Sequence, residues 1–300
     1  MTPFSLATLN LQGRPEAALK LGERFFPLAS LGPDLAGGTC LSLLRIWDQS
    51  LTRLEEAVEG LRPEDGLPAA GVELLTPVQY PDALFAVGAN YSGHLREMGL
   101  AVEKWASMPF FLRPPRTTLV GPGATVILPR STRQFDWECE LAVVVGRPLR
   151  HASREEAAGA VAGYAIGLDL SCRDLIPSDN DLKIDLLRGK AQDTMAPCGP
   201  VITPAKFVGD VNNLRISLSV NDEMMMNAST SEMLYKVDEQ LSIISEYITV
   251  QPGDILFTGS PAGSAGVHGD RWLRPGDQIR AEIEAVGILE VSIRSDQGAA

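Results

Sequence analysis

The stretch DWECELAVVVG at residues 136–146 decides the fold. Its apolar, β-branched second half and the glycine that ends it are typical of a β-strand. Because alternate side chains of a strand point to the same face, Asp136, Glu138 and Glu140 are predicted to share one face. The apolar half shows no alternation, which indicates a strand that is covered on both sides.

Carboxylates that crowd the start of a buried strand repel one another unless a positive charge lies among them. Hard divalent cations such as Mg²⁺, Mn²⁺ and Ca²⁺ prefer oxygen ligands, so a metal site is one interpretation of Glu138 and Glu140. An acidic edge strand that resists aggregation is the other interpretation. A motif this short does not decide between them by itself.

Length, charge and cysteine content limit the classes of protein to consider. A chain of 300 residues is expected to form roughly two domains, or one large domain with an appendage. The net charge of −12 argues against a nucleic-acid partner, which needs a basic surface. Four cysteines without a C-x-x-C pair favour reduced thiols. With no signal-like N-terminus and no apolar run of about 20 residues, a cytoplasmic protein without a membrane partner is predicted.

The pattern of elements divides the chain in two. Residues 1–75 are predicted to form a small N-terminal α+β domain, with short strands before residue 30 and a helix over residues 41–60. Residues 80–295 are predicted to form the catalytic domain, which is mostly strands and has a helix over residues 231–248. Runs of strands with few helices are typical of a β-rich α+β fold, and no G-x-G-x-x-G follows a strand.

Several motifs occur in one order along residues 80–295. They are Gly88-Ala89-Asn90-Tyr91 with His94 and Glu97, Phe111-Leu112-Arg113-Pro114, the acidic stretch, Asp169 with Ser171-Cys172-Arg173-Asp174, Gly189-Lys190 with Asp193-Thr194, and Thr258-Gly259-Ser260-Pro261 with Gly263. In this order they resemble the fumarylacetoacetate hydrolase family, in its shorter acylpyruvase-like branch. The N-terminal part matches only loosely.

The resemblance implies a mixed β-sandwich or β-roll catalytic domain, a homodimer, and one Mg²⁺ or Mn²⁺ per subunit, with Ca²⁺ possible in crystals. It implies three metal ligands, which are Glu138, Glu140 and Asp169. The catalytic residues that it implies are His94, Glu97 and Lys190. The predicted substrate contacts lie in or near the same motifs and are Tyr91, Arg113, Arg173, Met226, Gly259 and Ser260.

Residue chemistry supports this assignment. Three carboxylates leave a hard cation with open positions, where a 1,3-dicarbonyl or 2-keto acid can chelate and an enolate is stabilised. His94 is suited to take a proton from water near neutral pH, and Glu97 three residues later can orient its ring. Lys190 offers charge to a carboxylate or an oxyanion. Taken alone, the His94 and Glu97 pair would more often be a solvated helix pair.

Three positions depart from the family pattern. Arg113 stands where many relatives have Lys, Met226 where many have Gln, and Ser260 where Thr is frequent. The Arg113 change keeps the charge but alters donor geometry, and Met226 would make a substrate contact more apolar.

The predicted function is a divalent-metal-dependent hydrolase that cleaves a C–C bond in a β-diketo acid, such as an acylpyruvate. The first alternative is an oxaloacetate-type decarboxylase, or a keto–enol isomerase of an aromatic ring-cleavage product, that uses the same site. The second is a catalytically inactive metal-binding dimer module, and the presence of both His94 and Glu97 speaks against it. In each enzymatic case the partner is a small keto acid.

Overall fold

The computed structural model describes residues 2–296. Over this range the chain forms nineteen β-strands and seven α-helices. The helices are α1 (Cys40–Leu44), α2 (Trp47–Glu59), α3 (Ser92–Glu97), α4 (Pro115–Thr118), α5 (Arg154–Gly159), α6 (Leu186–Lys190) and α7 (Val237–Tyr247). The strands are β1 (Ser5–Leu11), β2 (Arg14–Leu21), β3 (Arg24–Pro27), β4 (Leu67–Pro68), β5 (Leu74–Leu75), β6 (Leu84–Val87), β7 (Phe110–Arg113), β8 (Leu119–Val120), β9 (Thr125–Leu128), β10 (Phe135–Asp136), β11 (Cys139–Val145), β12 (Val161–Leu168), β13 (Ser171–Cys172), β14 (Ala196–Pro204), β15 (Arg215–Val220), β16 (Glu223–Ser229), β17 (Ile255–Phe257), β18 (Gln278–Ile283) and β19 (Gly287–Ser295).

The strands form one large sheet and two smaller ones. The large sheet has twelve strands in the order β4-β3-β2-β1-β14-β12-β11-β17-β6-β7, with β5 attached to β1 and β8 attached to β14. A five-stranded sheet runs β16-β15-β18-β19-β9, and β10 pairs with β13. The β-rich α+β fold predicted from the sequence is confirmed. No helix within residues 2–296 has the length and apolar character that a passage through a lipid bilayer would need.

Strand β11 lies near the middle of the large sheet, between β12 and β17. All of its residues are buried. Leu141 and Val143 pack into one apolar core, whereas Ala142 and Val144 pack into another on the opposite face. The prediction of a strand covered on both sides is confirmed, and it explains why the apolar half of β11 lacks alternation.

The N-terminal strands join the large sheet directly. β1 pairs with β14 through Leu6 and Ile202, although nearly two hundred residues separate them in sequence. The core beneath this junction contains Phe4 and Leu54 from the N-terminal part together with Phe257 from the remainder. The sheet and core are therefore continuous past residue 75, and a domain boundary at residues 75–80 stays a prediction.

Two predicted helices differ from the observed ones. The helix over residues 41–60 is divided because Ile46 has φ −130° and ψ 43°, which lie outside the helical region. The helix over residues 231–248 begins only at Val237. The preceding N–H groups of Leu234 and Tyr235 donate instead to the main-chain and side-chain oxygens of Asn90, each at 2.8 Å. Contacts with a distant residue thus fix the start of α7.

The acidic stretch is interrupted at Trp137 and Glu138, where the chain passes from the small β10–β13 sheet to the large sheet. Asp136 and Glu138 pair with the same residue, Arg173, so their carboxylates lie on one side as predicted, but Asp136 belongs to the smaller sheet. The carboxylate of Asp136 accepts from the N–H of Ala265 at 2.9 Å and pairs with Arg173 Nε at 2.7 Å. Only the two glutamates converge with the third carboxylate.

Candidate active site

Three buried carboxylates meet at one end of the β11–β12 pair. Oxygen atoms of Glu138, Glu140 and Asp169 all lie within 4.8 Å of one another. Glu140 is the second residue of β11, and Glu138 immediately precedes that strand. Asp169 directly follows β12, and antiparallel pairing of Cys139 with Leu168 places the end of β12 beside the start of β11. The sheet register therefore brings the three carboxylates together, and we call them the carboxylate cluster.

Three cations surround the carboxylate cluster. Glu138 accepts from Arg173 Nη2 at 2.5 Å and from Lys190 Nζ at 2.7 Å. Asp169 pairs with Lys190 and with Arg113 Nη1. Arg113 also donates to the carbonyl of Met195 at 2.8 Å, which fixes the guanidinium behind the cluster. Glu138 and Asp169 are therefore each neutralised by two cations.

Glu140 has a different environment. Its Oε2 accepts from the main-chain N–H of Gly259 at 2.6 Å, and no ion pair joins it within residues 2–296. Burial and the negative charge of Glu138 raise the pKa of the Glu140 carboxyl. Burial also acts on Glu138, but Lys190 and Arg173 outweigh it and lower the pKa of that carboxyl. At Glu140, Lys190 and Arg113 act in the opposite direction, but they do not outweigh burial and the neighbouring carboxylate. Glu140 is thus the cluster carboxylate that makes no ion pair in the described part of the chain.

This donor set fits a hard divalent cation. Such ions prefer carboxylate oxygens, and a cation among the three carboxylates would supply the positive charge that Glu140 lacks. No nitrogen or sulfur ligand joins the cluster within the described residues, which excludes the ligand sets typical of structural zinc. Glu138, Glu140 and Asp169 are the residues that would hold the ion.

Helix α3 directs a histidine at the carboxylate cluster. His94 Nδ1 lies 3.1 Å from Glu97 Oε2, and His94 Nε2 lies 4.0 Å from Glu138 Oε1. The spacing of three residues places both side chains on one face of the helix. A carboxylate at Nδ1 favours the tautomer with its proton on that nitrogen and leaves Nε2 free to accept one. The ring therefore presents Nε2 to the carboxylate cluster.

Glu97 is itself held in place by the main chain at Gly263. Its Oε1 accepts from the N–H of Gly263 at 2.5 Å, and the carbonyl of Gly263 accepts from Trp137 Nε1 at 2.8 Å. Burial acts to raise the pKa of Glu97, but the hydrogen bonds with His94 and Gly263 outweigh it and lower that pKa. Glu97 is thus kept ionised and in position to orient His94.

A cavity of about 220 Å³ opens onto this site. Its lining includes His94, Glu138, Glu140, Lys190 and two of the predicted substrate contacts, Arg173 and Ser260. The structure therefore brings the proposed base, two cluster carboxylates and two cations to one enclosed space. Asp169 lies just behind Lys190 and does not line the cavity.

Four predicted substrate contacts, Tyr91, Arg113, Met226 and Gly259, do not line this cavity, and their role as substrate contacts stays a prediction. Tyr91 is fully buried in the apolar core, just before α3. Arg113 is buried behind Asp169, and Gly259 donates to Glu140. Met226 is 1% exposed and packs in the core against the loop at Gly263. Arg113 and Gly259 hold carboxylates of the cluster, whereas Tyr91 and Met226 pack the surrounding core.

Sequence patterns missed the apolar part of the lining. Trp105, Phe111, Ile176, Ile184 and Leu186 also line the cavity. Phe111 opens the Phe111-Leu112-Arg113-Pro114 motif, whereas the other four lie outside the motifs found in the sequence. Only the folded chain shows that they face the carboxylate cluster, so periodicity could not have identified them.

Most of the chain matches a protein-family model and is similar in sequence to known proteins. The family model described as fumarylacetoacetate (FAA) hydrolase C-terminal matches residues 83–294. The mitochondrial oxaloacetate tautomerase FAHD2B of Bos taurus is 36% identical over 225 residues, which cover 74% of this chain and 70% of the relative.

Two solved structures of related hydrolases are similar to this chain in fold and in sequence. The maleylpyruvate hydrolase of Sphingobium sp. SYK-6, in complex with manganese(II) and pyruvate, has a TM-score of 0.78 and 30% identity over 98% of this chain and all of that one. The fumarylpyruvate hydrolase of Pseudomonas aeruginosa, in complex with Mn²⁺ and pyruvate, has a TM-score of 0.66 and 30% identity over 74% of this chain and 91% of the other.

Proposed function

The chain belongs to the fumarylacetoacetate hydrolase family, and on that premise we propose that it is a divalent-metal-dependent hydrolase of acylpyruvate-type β-diketo acids. One observation carries the proposal. His94 is held by Glu97 at Nδ1 and presents Nε2 to the carboxylate cluster, 4.0 Å from Glu138. A base beside a metal-binding cluster is the arrangement that hydrolysis requires.

The carboxylate cluster is the proposed binding site for Mn²⁺ or Mg²⁺. Two related structures are described with Mn²⁺ and pyruvate, and the oxygen donors of Glu138, Glu140 and Asp169 fit either ion. When bound, the ion would polarise the substrate carbonyl groups and stabilise negative charge on their oxygens.

His94 then serves as the general base. Water gives its proton to Nε2 and adds its oxygen to the acyl carbonyl carbon. The bond from that carbon to the pyruvyl methylene breaks, and its electron pair goes to the pyruvyl part. Return of the proton from His94 to the methylene carbon gives a carboxylic acid and pyruvate. Glu97 stabilises the imidazolium while it carries the proton.

Two cations are suited to position the substrate. Lys190 and Arg173 line the cavity beside the carboxylate cluster. Each can donate a further hydrogen bond to the carboxylate of the pyruvyl group, because a guanidinium has five N–H donors and an ammonium three. Ser260 offers a hydroxyl on the same wall. The keto acid end of the substrate is therefore assigned to the inner, charged end of the cavity.

Keto–enol tautomerisation is a second candidate, and the curated relative named oxaloacetate tautomerase favours it. In this reaction the enol oxygen loses a proton and the neighbouring carbon gains one, so a base that carries the proton is needed but no attack by water. His94 could serve in that role from the same position.

A direct assay separates these activities. The protein, loaded with Mn²⁺ or Mg²⁺, is offered acetylpyruvate, oxaloacetate and the enol form of oxaloacetate. Appearance of acetate and pyruvate supports hydrolysis, loss of enol absorbance without a new product supports tautomerisation, and release of CO₂ supports decarboxylation. If acetylpyruvate is not cleaved under any of these conditions, the hydrolase proposal is wrong.

The proposal also covers the oligomeric state of the protein and its place in the cell. We infer a cytoplasmic homodimer, which light scattering after size-exclusion chromatography would test at about twice the 32.3 kDa chain mass. Elemental analysis of protein purified without added metal would identify the ion that it carries.

A further inference from the structure

The cavity has two chemically different ends. At the inner end lie Glu138, Glu140, Arg173 and Lys190, of which only Arg173 is more than slightly exposed. The rest of the wall is largely apolar and includes Met98, Trp105, Phe111, Ile176, Ile184 and Leu186. Ile184 is 55% exposed, so the apolar wall leads outward to solvent.

Both cations that line the cavity are already engaged at the inner end. Lys190 Nζ contacts Glu138 and Asp169, and Arg173 contacts Asp136 and Glu138. Within residues 2–296 no other lysine or arginine lines this cavity. A second carboxylate on the substrate would therefore lie against the apolar wall without a counter-charge, which is unfavourable because apolar side chains cannot replace the hydrogen bonds that it makes with water.

The segment that contributes Ile184 adds negative charge. Residues 178–185 contain Asp179, Asp181 and Asp185 against a single Lys183, and Asp185 also pairs with Arg188 at 3.7 Å, so the segment keeps a small excess of negative charge. Like charge on an approaching group slows association and weakens binding. A substrate that is negatively charged at its outer end would meet this repulsion before it reached the apolar wall.

We propose that the acyl group of the substrate is apolar and uncharged, so that the preferred substrates are monocarboxylic 2,4-diketo acids. This inference rests on the proposed function for its substrate class. The proposed substrates differ from fumarylpyruvate and maleylpyruvate, for which two related hydrolases are named. Those two compounds carry a second carboxylate. The cavity lies below the roughly 300–1,000 Å³ that is typical of drug-sized ligands, which favours a short acyl group.

The first test compares cleavage of acetylpyruvate, butanoylpyruvate and hexanoylpyruvate with that of fumarylpyruvate. Each methylene that becomes buried against the apolar wall is expected to raise kcat/KM about fourfold until the cavity is full. Fumarylpyruvate is expected to be at least tenfold poorer than butanoylpyruvate. Equal or faster cleavage of fumarylpyruvate would overturn the inference while leaving the hydrolase proposal intact.

A binding test does not depend on cleavage. 2-Oxohexanoate and 2-oxoadipate have the same chain length and differ only in a terminal carboxylate. Their dissociation constants are measured by calorimetry on the Mn²⁺-loaded protein. We expect 2-oxohexanoate to bind at least tenfold more tightly. If no diketo acid is cleaved but 2-oxohexanoate still binds more tightly, the proposed function fails and the apolar outer site stands. If 2-oxoadipate binds as well or better, the inference is wrong.

A charge placed on the wall should reverse the preference. Ile184→Lys introduces a cation at the mouth of the cavity and should lower the ratio of 2-oxohexanoate to 2-oxoadipate affinity by about tenfold. Leu182→Lys is the matched control, because Leu182 belongs to the same segment, is 80% exposed and does not line the cavity. An unchanged ratio in Ile184→Lys, or the same change in both variants, would contradict the assignment of the apolar wall to the acyl group.

Discussion

The main-chain N–H of Gly259 donates a hydrogen bond of 2.6 Å to Oε2 of Glu140, the one cluster carboxylate that no cation pairs with in the described part of the chain. Gly259 has φ +92°, and a Cβ atom there would lie 2.7 Å from Cβ of Asn90. Both facts demand glycine, because an L side chain would be strained and would also clash. The orientation of Glu140 thus depends on a residue that has no side chain.

Gly259→Ala should therefore disturb the carboxylate cluster as well as the fold. A strained backbone costs on the order of 1–3 kcal/mol, and the clash with Asn90 adds to this. We expect a lower Tm and weaker Mn²⁺ binding, measured by thermal denaturation and calorimetry. Gly266→Ala is the control, because nothing lies within 4 Å of the Cβ position there. Equal behaviour of the two variants would show that the Gly259 contact does not matter.

Glu140→Gln should separate metal binding from folding. The amide keeps an oxygen to accept from Gly259 but removes the repulsion with Glu138, so the metal-free Tm should stay equal or rise. The wild-type protein should gain about 2.7 kcal/mol at a metal concentration of 100 Kd, and the variant should gain almost none. Glu290→Gln, at an exposed position, should behave as wild type. Full metal occupancy of Glu140→Gln by elemental analysis would refute the ligand assignment.

His94→Ala should lower kcat/KM for acetylpyruvate by about 10²–10⁴, the usual range for general-base catalysis, without loss of Mn²⁺ binding. Decarboxylation of oxaloacetate should fall less, since it needs no activated water. Glu97→Gln should show a smaller hydrolytic loss, because Glu97 only orients His94 and supports its charge.

His151→Ala is the control for these variants, because His151 is an exposed histidine that also pairs with a glutamate, Glu246, at 3.3 Å. Hydrolysis by His94→Ala within a few-fold of the His151→Ala rate would remove His94 from the mechanism.

Asp254 should make stability depend on pH. It is buried and accepts from the N–H groups of Ala83 and Gln251, and burial raises its pKa to about 6. The unfolded carboxyl titrates near pKa 3.9, so its contribution to stability is complete below that value and is lost as pH rises through about 6.

The Asp254→Asn variant has no charge to acquire. The Tm of wild type relative to this variant should therefore fall by a few degrees between pH 4 and pH 7.5, since 1 kcal/mol corresponds to about 2–4 °C in a domain of 150–250 residues. Differential scanning calorimetry at both pH values measures this difference. A constant or rising difference would contradict the raised pKa.

Local chemistry predicted much of the carboxylate cluster. Glu138 and Glu140 lie close together in sequence, and the strand that follows them carries its own β signal. The family order of motifs added Asp169, His94, Glu97 and Lys190, and the structure brings all of these to one end of the β11–β12 pair. Their chemical roles stay predictions until the variants above are measured.

Contacts between distant residues account for what the sequence did not predict. Asp136 lies outside the carboxylate cluster because the chain changes sheet at Trp137, where Asp136 pairs with Ser171. The start of α7 depends on Asn90, which lies more than 140 residues earlier. Met226 faces the core because it pairs directly with the buried Leu218 on the neighbouring strand. None of these contacts leaves a periodic pattern in the chain.

The junction of β1 with β14 has a consequence for synthesis on the ribosome. At about 5–20 residues per second, the roughly 200 residues between Leu6 and Ile202 take about 10–40 s to emerge. During that time β1 can pair with β2, its neighbour in the chain. Its other edge near Leu6 stays unpaired until β14 has been synthesised. An unpaired strand edge can associate with other chains. The nascent N-terminal hairpin is therefore the part of this protein for which we expect the greatest need of a chaperone.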